Sequence, residues 1–275
     1  MTWRTLALDL SPSGSSGGVR QAAALLAERF ETAVLALAAL RPAKAVAGDG
    51  YSAGELMALE RDTFTEQLNQ AQAAFWAQVA PASRHREWRG VVGFDPPASW
   101  IAREARGADL IIAAPPEGGI LKGANHVNLA DLVMAAGRPV LIAPSEGRPF
   151  GLGTAVVAWK DTRETRRAVS DALPLLRACK RVVAVTIAPR TGLEAARGEL
   201  AEIGGWLARY GVTSELRVER SHRDDASRLG MIVADLDADV LVAGAYGRAR
   251  MREWILGGVT CDFLLNPDRC VLVSH

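Results

Sequence analysis

The stretch GAYGRARMREWILGGVT, residues 244–260, holds the residue types best suited to binding an anion. Gly244 and Gly247 follow the apolar run ADVLVA, so they belong to the loop that leaves a strand. Glycine there lets the backbone take positive φ and lets a bulky anion approach without meeting a Cβ. The free N–H groups of a following helix turn, helped by the helix dipole, would meet a phosphate. Arg248, Arg250 and Arg252 add positive charge in the same stretch. Gly257 and Gly258 inside a helical run are each about 1 kcal/mol worse than alanine, so the pair marks a break. A new helix starting at Val259 and Thr260 would expose further N–H donors and a hydroxyl. Two such donor nests could clamp a polyphosphate. The same spacing also suits a turn, a kink and a solvated basic face.

Other residues carry weaker signals. Asp9 ends the run TLALDL and is followed by SPSGSSGG, a loop that could cradle an anion or simply lead into a helix near Val19. It is not a Walker loop, since no Lys-Ser/Thr follows the glycines. After TAVVAW stand Lys160, Asp161 and Thr162, where the lysine suits either an exposed loop or a phosphate contact. His85, His126, His222 and His275 share no ligand spacing, and Asp224 and Asp225 beside His222 read as helix caps. Cys179, Cys261 and Cys270 have neither metal spacing nor an adjacent histidine, and no Gly-x-Ser-x-Gly elbow occurs. Neither catalytic nor metal-binding residues are assigned, and Asp161 is the one weak candidate for a base. Trp159 and Trp254 lie near this candidate site and read as core or interface packing rather than as stacking partners for a ring.

The elements that would position these residues come in two matching sets. TLALDL, TAVLALAAL, WRGVVGF, ADLIIAA and RPVLIAP make the first; TAVVAW, RVVAVTIAP, SELRVE, ADVLVAG and RCVLVSH make the second. Near-continuous apolar strands of this kind suit parallel sheets covered by helices on both faces. Ala108-Asp109 and Ala238-Asp239 open corresponding strands, and Arg138 and Arg269 open the closing ones, so the chain is a duplication. It divides into residues 1–145 and 151–275, with SEGRPFGLG (145–153) as the linker. Between strands, Ser52 with Glu55 and Asp161 with Glu164 read as capping-box starts of helices. The first opens a helix of roughly 28 residues, about 42 Å long; the second precedes RRAVSDALPLLRA.

Composition bounds the partners. With 32 basic against 31 acidic residues, nothing favours nucleic acid, and no apolar run suits a membrane helix. The N-terminus has no charged leader, and the odd, scattered cysteines fit a reducing compartment, so a cytoplasmic protein is expected.

The glycine stretch resembles the nucleotide loop of the universal stress protein family, Gly-x-x-Gly, nine residues, then Gly and Ser or Thr. Here Gly244, Gly247 and Gly257 match, ILGGVT is similar to the family's LGSVT, and DRCVLVSH is similar to its closing strand. The resemblance spans the chain as two tandem domains. It implies α/β architecture, each domain a doubly wound, five-stranded parallel sheet of order 3-2-1-4-5, packed as a pseudo-dimer through the closing strands. Further homodimerisation stays open. It also implies a stress-response role and a site for ATP or another adenine nucleotide such as AMP, with magnesium left open. The cofactor-binding residues are then Gly244, Gly247, Arg248, Gly257, Gly258, Val259, Thr260, Lys160, Asp161 and Thr162. A nucleotide-free interaction module and a slow ATPase are the alternatives.

Two departures from the pattern stand out. Gly258 replaces the family's Ser/Thr, and Lys160-Asp161-Thr162 stands where the family often has Asp-Gly-Ser. The first half has Asp9 in the family's aspartate position, yet Pro115, Pro116 and Glu117 replace the first glycines, and Val127-Asn128 replaces the pair. The first half is expected to be a degenerate copy in which Asp9 matters little for nucleotide affinity.

Overall fold

The structure, a computed structural model, describes residues 2–12, 16–42, 53–115, 127–144, 148–221, 224–245 and 268–275. The first half runs β1 (Thr5–Asp9), α1 (Gly17–Phe30), β2 (Ala33–Leu40), α2 (Ala53–Gln78), β3 (Arg86–Val92), α3 (Pro97–Glu104), β4 (Leu110–Ala113), α4 (Leu129–Ala136) and β5 (Val140–Ile142). The second runs β6 (Thr154–Ala158), α5 (Arg163–Asp171), α6 (Leu173–Ala178), β7 (Arg181–Ala188), α7 (Leu193–Arg209), β8 (Glu215–Arg220), α8 (Asp225–Asp235), β9 (Val240–Gly244) and β10 (Cys270–Ser274).

All these strands join one sheet in the order β3-β2-β1-β4-β5-β10-β9-β6-β7-β8. Counted from either end, each half reads third, second, first, fourth, fifth strand. Neighbours are parallel except at the middle, where β5 and β10 pair antiparallel with Leu141 opposite Leu272. The strand sequences explain this burial. Leu6, Ala7 and Leu8 are all fully buried, because helices cover both faces. Leu6 and Leu8 pack on one face with residues of α1, α2, α5, α6 and α7, among them Phe75, Val169 and Leu200. Ala7 lies on the other, with Ile101 of α3, Leu132 of α4 and Ile232 of α8. The outermost strands β3 and β8 carry Arg86, Glu87, Arg89 and Glu215, Arg217, Glu219, charges that discourage pairing with another chain.

The repeated Ala-Asp pair is an anchor. Asp109 accepts from the N–H groups of Arg4 (2.7 Å) and Thr5 (3.0 Å), tying the start of β1 to β4. Asp239 does the same for Gly153 and Thr154, both at 2.8 Å, tying the start of β6 to β9. The described part of the linker therefore lies against β9, with Arg148 also pairing to Asp237 and Asp239.

Two local expectations change. Thr162, not Asp161, is the N-cap of α5, its hydroxyl accepting from the Thr165 N–H at 3.2 Å. Asp161 sits one residue earlier and pairs with Arg166 at 2.6 Å. The run RRAVSDALPLLRA forms α5 and α6 rather than one helix, since Pro174 in the first turn of α6 has no N–H to continue the ladder. α2 spans 26 residues, and its expected capping pair, Ser52 and Glu55, lies outside the described residues and side chains.

Candidate functional site

In an open parallel sheet, ligands gather beyond the carboxyl ends of the strands. In the second half this edge is formed where β6, β9 and β10 end. β6 continues into Trp159, whose N–H still bonds to Val185 O at 2.7 Å. A tight turn follows, with the Thr162 N–H on Lys160 O at 2.7 Å, and α5 begins. Lys160 and Asp161 are exposed, whereas Trp159 is 5% exposed and its Nε1–H has no acceptor among the described residues. The edge thus brings together Lys160, Asp161 and Thr162 with Gly244 on the strand next to β6. Gly247, Arg248, Gly257, Gly258, Val259 and Thr260 lie outside the described residues, as does Trp254.

Gly244 is fixed by packing. A Cβ there would stand 2.5 Å from Thr165 N and 2.8 Å from Glu164 C, inside the first turn of α5. Only a residue without a side chain lets α5 lie this close to β9. Gly18 in the first turn of α1 is similar, since a Cβ would fall 1.9 Å from Pro144 O. Serine- and glycine-rich SPSGSSGG therefore contains one glycine that α1 packing requires.

Glu164, which in the sequence reads as a capping residue, is buried at this edge. It is 7% exposed, in the first turn of α5, and pairs with Arg163 at 3.3 Å. Its carboxyl lies below the usual range, chiefly through the helix-terminal backbone N–H, with help from Arg163, the Thr162 hydroxyl and His275. Glu164 thus places a carboxylate in the first turn of α5, where a helix N-terminus favours negative charge.

The far side of the edge is polar and braced. Ser274 is 1% exposed and donates to Asp171 at 2.9 Å. Arg167 lies 3.5 Å from the same carboxylate and donates to Gly137 O of the first half at 2.8 Å. His275 Nδ1 is 3.4 Å from Ala245 O.

The first-half edge differs at each comparable place. Asp9 partners Leu37 and Ala158 partners Val185, so the shared register makes Ala158, not Lys160, the counterpart of Asp9. Lys160 corresponds to Ser11 and does not stand in an aspartate's place; the residue replaced there is a half-buried alanine. Asp9 is 7% exposed, accepts from the Ser11 N–H at 3.0 Å, and is raised to about 6 by burial. Asn128, which the sequence comparison sets against Gly258, is the N-cap of α4 and accepts from Ala130 N (2.9 Å) and Asp131 N (3.2 Å). Those donors are therefore already taken. Glu117 lies outside the described residues.

Among the described residues the cysteines and charges add no reaction centre; Cys261 lies outside them. Burial, with Asp239 nearby, pushes the Cys179 and Cys270 thiols up to about 12, which keeps them unreactive at neutral pH. Among the described residues no cluster of His, Cys, Asp and Glu could hold a metal, and no helix is long and apolar enough to cross a membrane.

No protein-family model matches the chain, and no curated protein sequence does. Solved structures do. A universal stress protein from Archaeoglobus fulgidus is similar over 98% of this chain and 97% of its own, with a TM-score of 0.76 and 14% identity. A functionally unknown protein from Pseudomonas aeruginosa covers 99% of this chain and 92% of its own, at TM-score 0.60 and 18% identity. A putative universal stress protein from the same species covers 99% and 93%, at TM-score 0.58 and 17% identity. The chain therefore has the doubly wound fold of universal stress proteins over its whole length.

Proposed function

We propose that the chain is a tandem universal stress protein. Its two units, residues 1–145 and 151–275, pair as a pseudo-dimer through β5 and β10, and the second binds an adenine nucleotide, ATP or AMP. The observation that carries this reading is the position of Gly244. It ends β9 beside β6, at the carboxyl edge of the sheet where α/β folds take ligands, and Gly247 and Gly257 follow it in the sequence. The phosphates fall to the N–H groups that follow β9, to Arg248 and to the Thr260 hydroxyl, and exposed Lys160 adds positive charge at the same edge. Asn128 caps α4 in the first half, which supports a single nucleotide per chain. A role in the cytoplasmic stress response follows from the same family likeness.

One observation favours a second reading, a nucleotide-free interaction module of the same fold. Packing against α5 is enough to require Gly244. It leaves Gly247 and Gly257 without a reason, which is why the nucleotide reading is preferred. Hydrolysis gains nothing here, because Asp161 is engaged by Arg166. Mass spectrometry of the purified protein after denaturation tests the proposal. Release of an adenine nucleotide in an amount comparable to the protein is expected. Its absence, together with no uptake of added ATP or AMP, would leave the interaction module.

A further inference from the structure

The opposite edge of the sheet carries a feature that the nucleotide reading does not use. Where β1, β2 and β3 begin, an open cleft of about 890 Å³ lies between the start of β3 and the end of α3. Its floor is Val34 and Leu35, and Trp76, 42% exposed, stands at its wall. Arg84, Arg86, Arg89 and Arg106 line it with His85, against Glu87 and Glu104. Four arginines against two glutamates leave two positive charges even with the histidine neutral.

The glutamates are already held. Arg89 pairs with Glu87 at 2.8 Å and with Glu104 at 2.7 Å. Arg86 donates to Ala80 O and Ser83 O and lies over the Trp76 ring, 5.8 Å from its centroid. Arg106 gives one N–H to Arg103 O at 2.8 Å, which leaves four of its five donors. Arg84 and Arg106 are exposed. Among the described residues Arg84, Arg86 and Arg106 thus have no carboxylate partner, and of these Arg84 and Arg106 keep most of their donors for the cleft, from the β3 and α3 sides.

The duplication supplies an internal comparison. Leu35 partners Glu87 as Val183 partners Glu215, so Arg84, His85 and Arg86 correspond to Val212, Thr213 and Ser214. Leu6 partners Leu110 as Ala155 partners Val240, so Arg106 corresponds to Leu236. Glu87 and Arg89 recur as Glu215 and Arg217, which pair instead with Arg181 and Glu219, but Arg84, His85 and Arg106 do not recur. Arg181 stands where the first half has Ala33, and it is bound to Glu215 through two 2.7 Å bonds. The same scaffold is thus built without Arg84, His85 and Arg106, and folding does not explain their presence.

We infer that this cleft is an anion site of the first half, taking a phosphorylated small molecule whose phosphates meet Arg84 and Arg106 and whose apolar part lies along Trp76. Guanidinium groups suit phosphate through paired, charge-assisted bonds, and a cleft of this size holds a small organic ligand. The inference does not depend on nucleotide binding at the other edge.

Inorganic pyrophosphate is the probe, read by two-dimensional NMR so that binding near Trp76 is told apart from binding at the second-half loop. Saturable shifts of the Trp76 indole and the Arg84–Arg89 amides are expected at low salt. Arg84→Ser with Arg106→Leu should weaken them about tenfold or more, the usual consequence of losing charge-assisted contacts. Arg84→Lys with Arg106→Lys should keep most of the affinity, since the charge remains. No saturable shift at these groups at millimolar pyrophosphate would overturn the inference, as would shifts that survive the Ser/Leu variant unchanged.

Discussion

At the scale of single residues, the decisive findings are a glycine and two buried carboxylates. Gly244 was legible as a glycine of interest, but its contact with α5 was not, because the helix that crowds it lies some eighty positions earlier in the chain. Gly244→Ala should destabilise the protein by about 3 kcal/mol, since backbone at 2.5 Å cannot move aside cheaply. A urea titration without nucleotide checks this; an unchanged midpoint would return Gly244 to a purely ligand-facing role. Asp9 allows a test in pH. Its folded value of about 6 lies above the ordinary 3.8, so the folded chain holds the proton more tightly than the unfolded chain. The contribution is complete below about pH 4 and is lost as the pH rises through 6, up to about 3 kcal/mol in all. Asp9→Asn should therefore be more stable than the native protein above pH 6 and equal to it near pH 4, as denaturant midpoints measured across that range will show. A variant less stable at every pH would mean that the carboxylate is held by a partner that favours its charge.

At the scale of elements, the strands were legible because each is a nearly continuous apolar run bounded by turn residues. The order in which they neighbour one another came from likeness, since no local pattern encodes it. Capping was read one residue early in α5: Asp161 and Thr162 are both good caps, and only the geometry shows that the hydroxyl of Thr162 reaches Thr165. Thr162→Ala should cost about 1 kcal/mol, and Asp161→Ala much less, because its pair with Arg166 is exposed. Thermal denaturation of the two variants separates them; the reverse order would restore Asp161 as the cap. The equivalence of Asp9 and Ala158 was also hidden from sequence, because Lys160-Asp161-Thr162 offers a more familiar-looking triplet two residues later. Register resolves it: strand partners count residues, whereas motif likeness does not.

At the scale of the whole molecule, the two halves share one sheet, so the β5–β10 junction should be as stable as the cores on either side. Hydrogen exchange should place the Leu141 and Leu272 amides among the slowest, opening only with global unfolding. Early exchange at that junction would show two halves that open apart. The duplication has left different residues at opposite edges: a glycine series that follows β9 in the second half, and a basic cleft at the amino edge of the first. The central claim concerns the former, and a calorimetric titration of ATP into the native protein and Gly247→Val tests it most directly. The native chain should bind one nucleotide per molecule, and the variant should bind about tenfold to 150-fold more weakly, the loss of one charge-assisted phosphate contact. Equal binding by both, or none by the native protein at millimolar ATP, would contradict the claim and make the glycines a matter of packing alone.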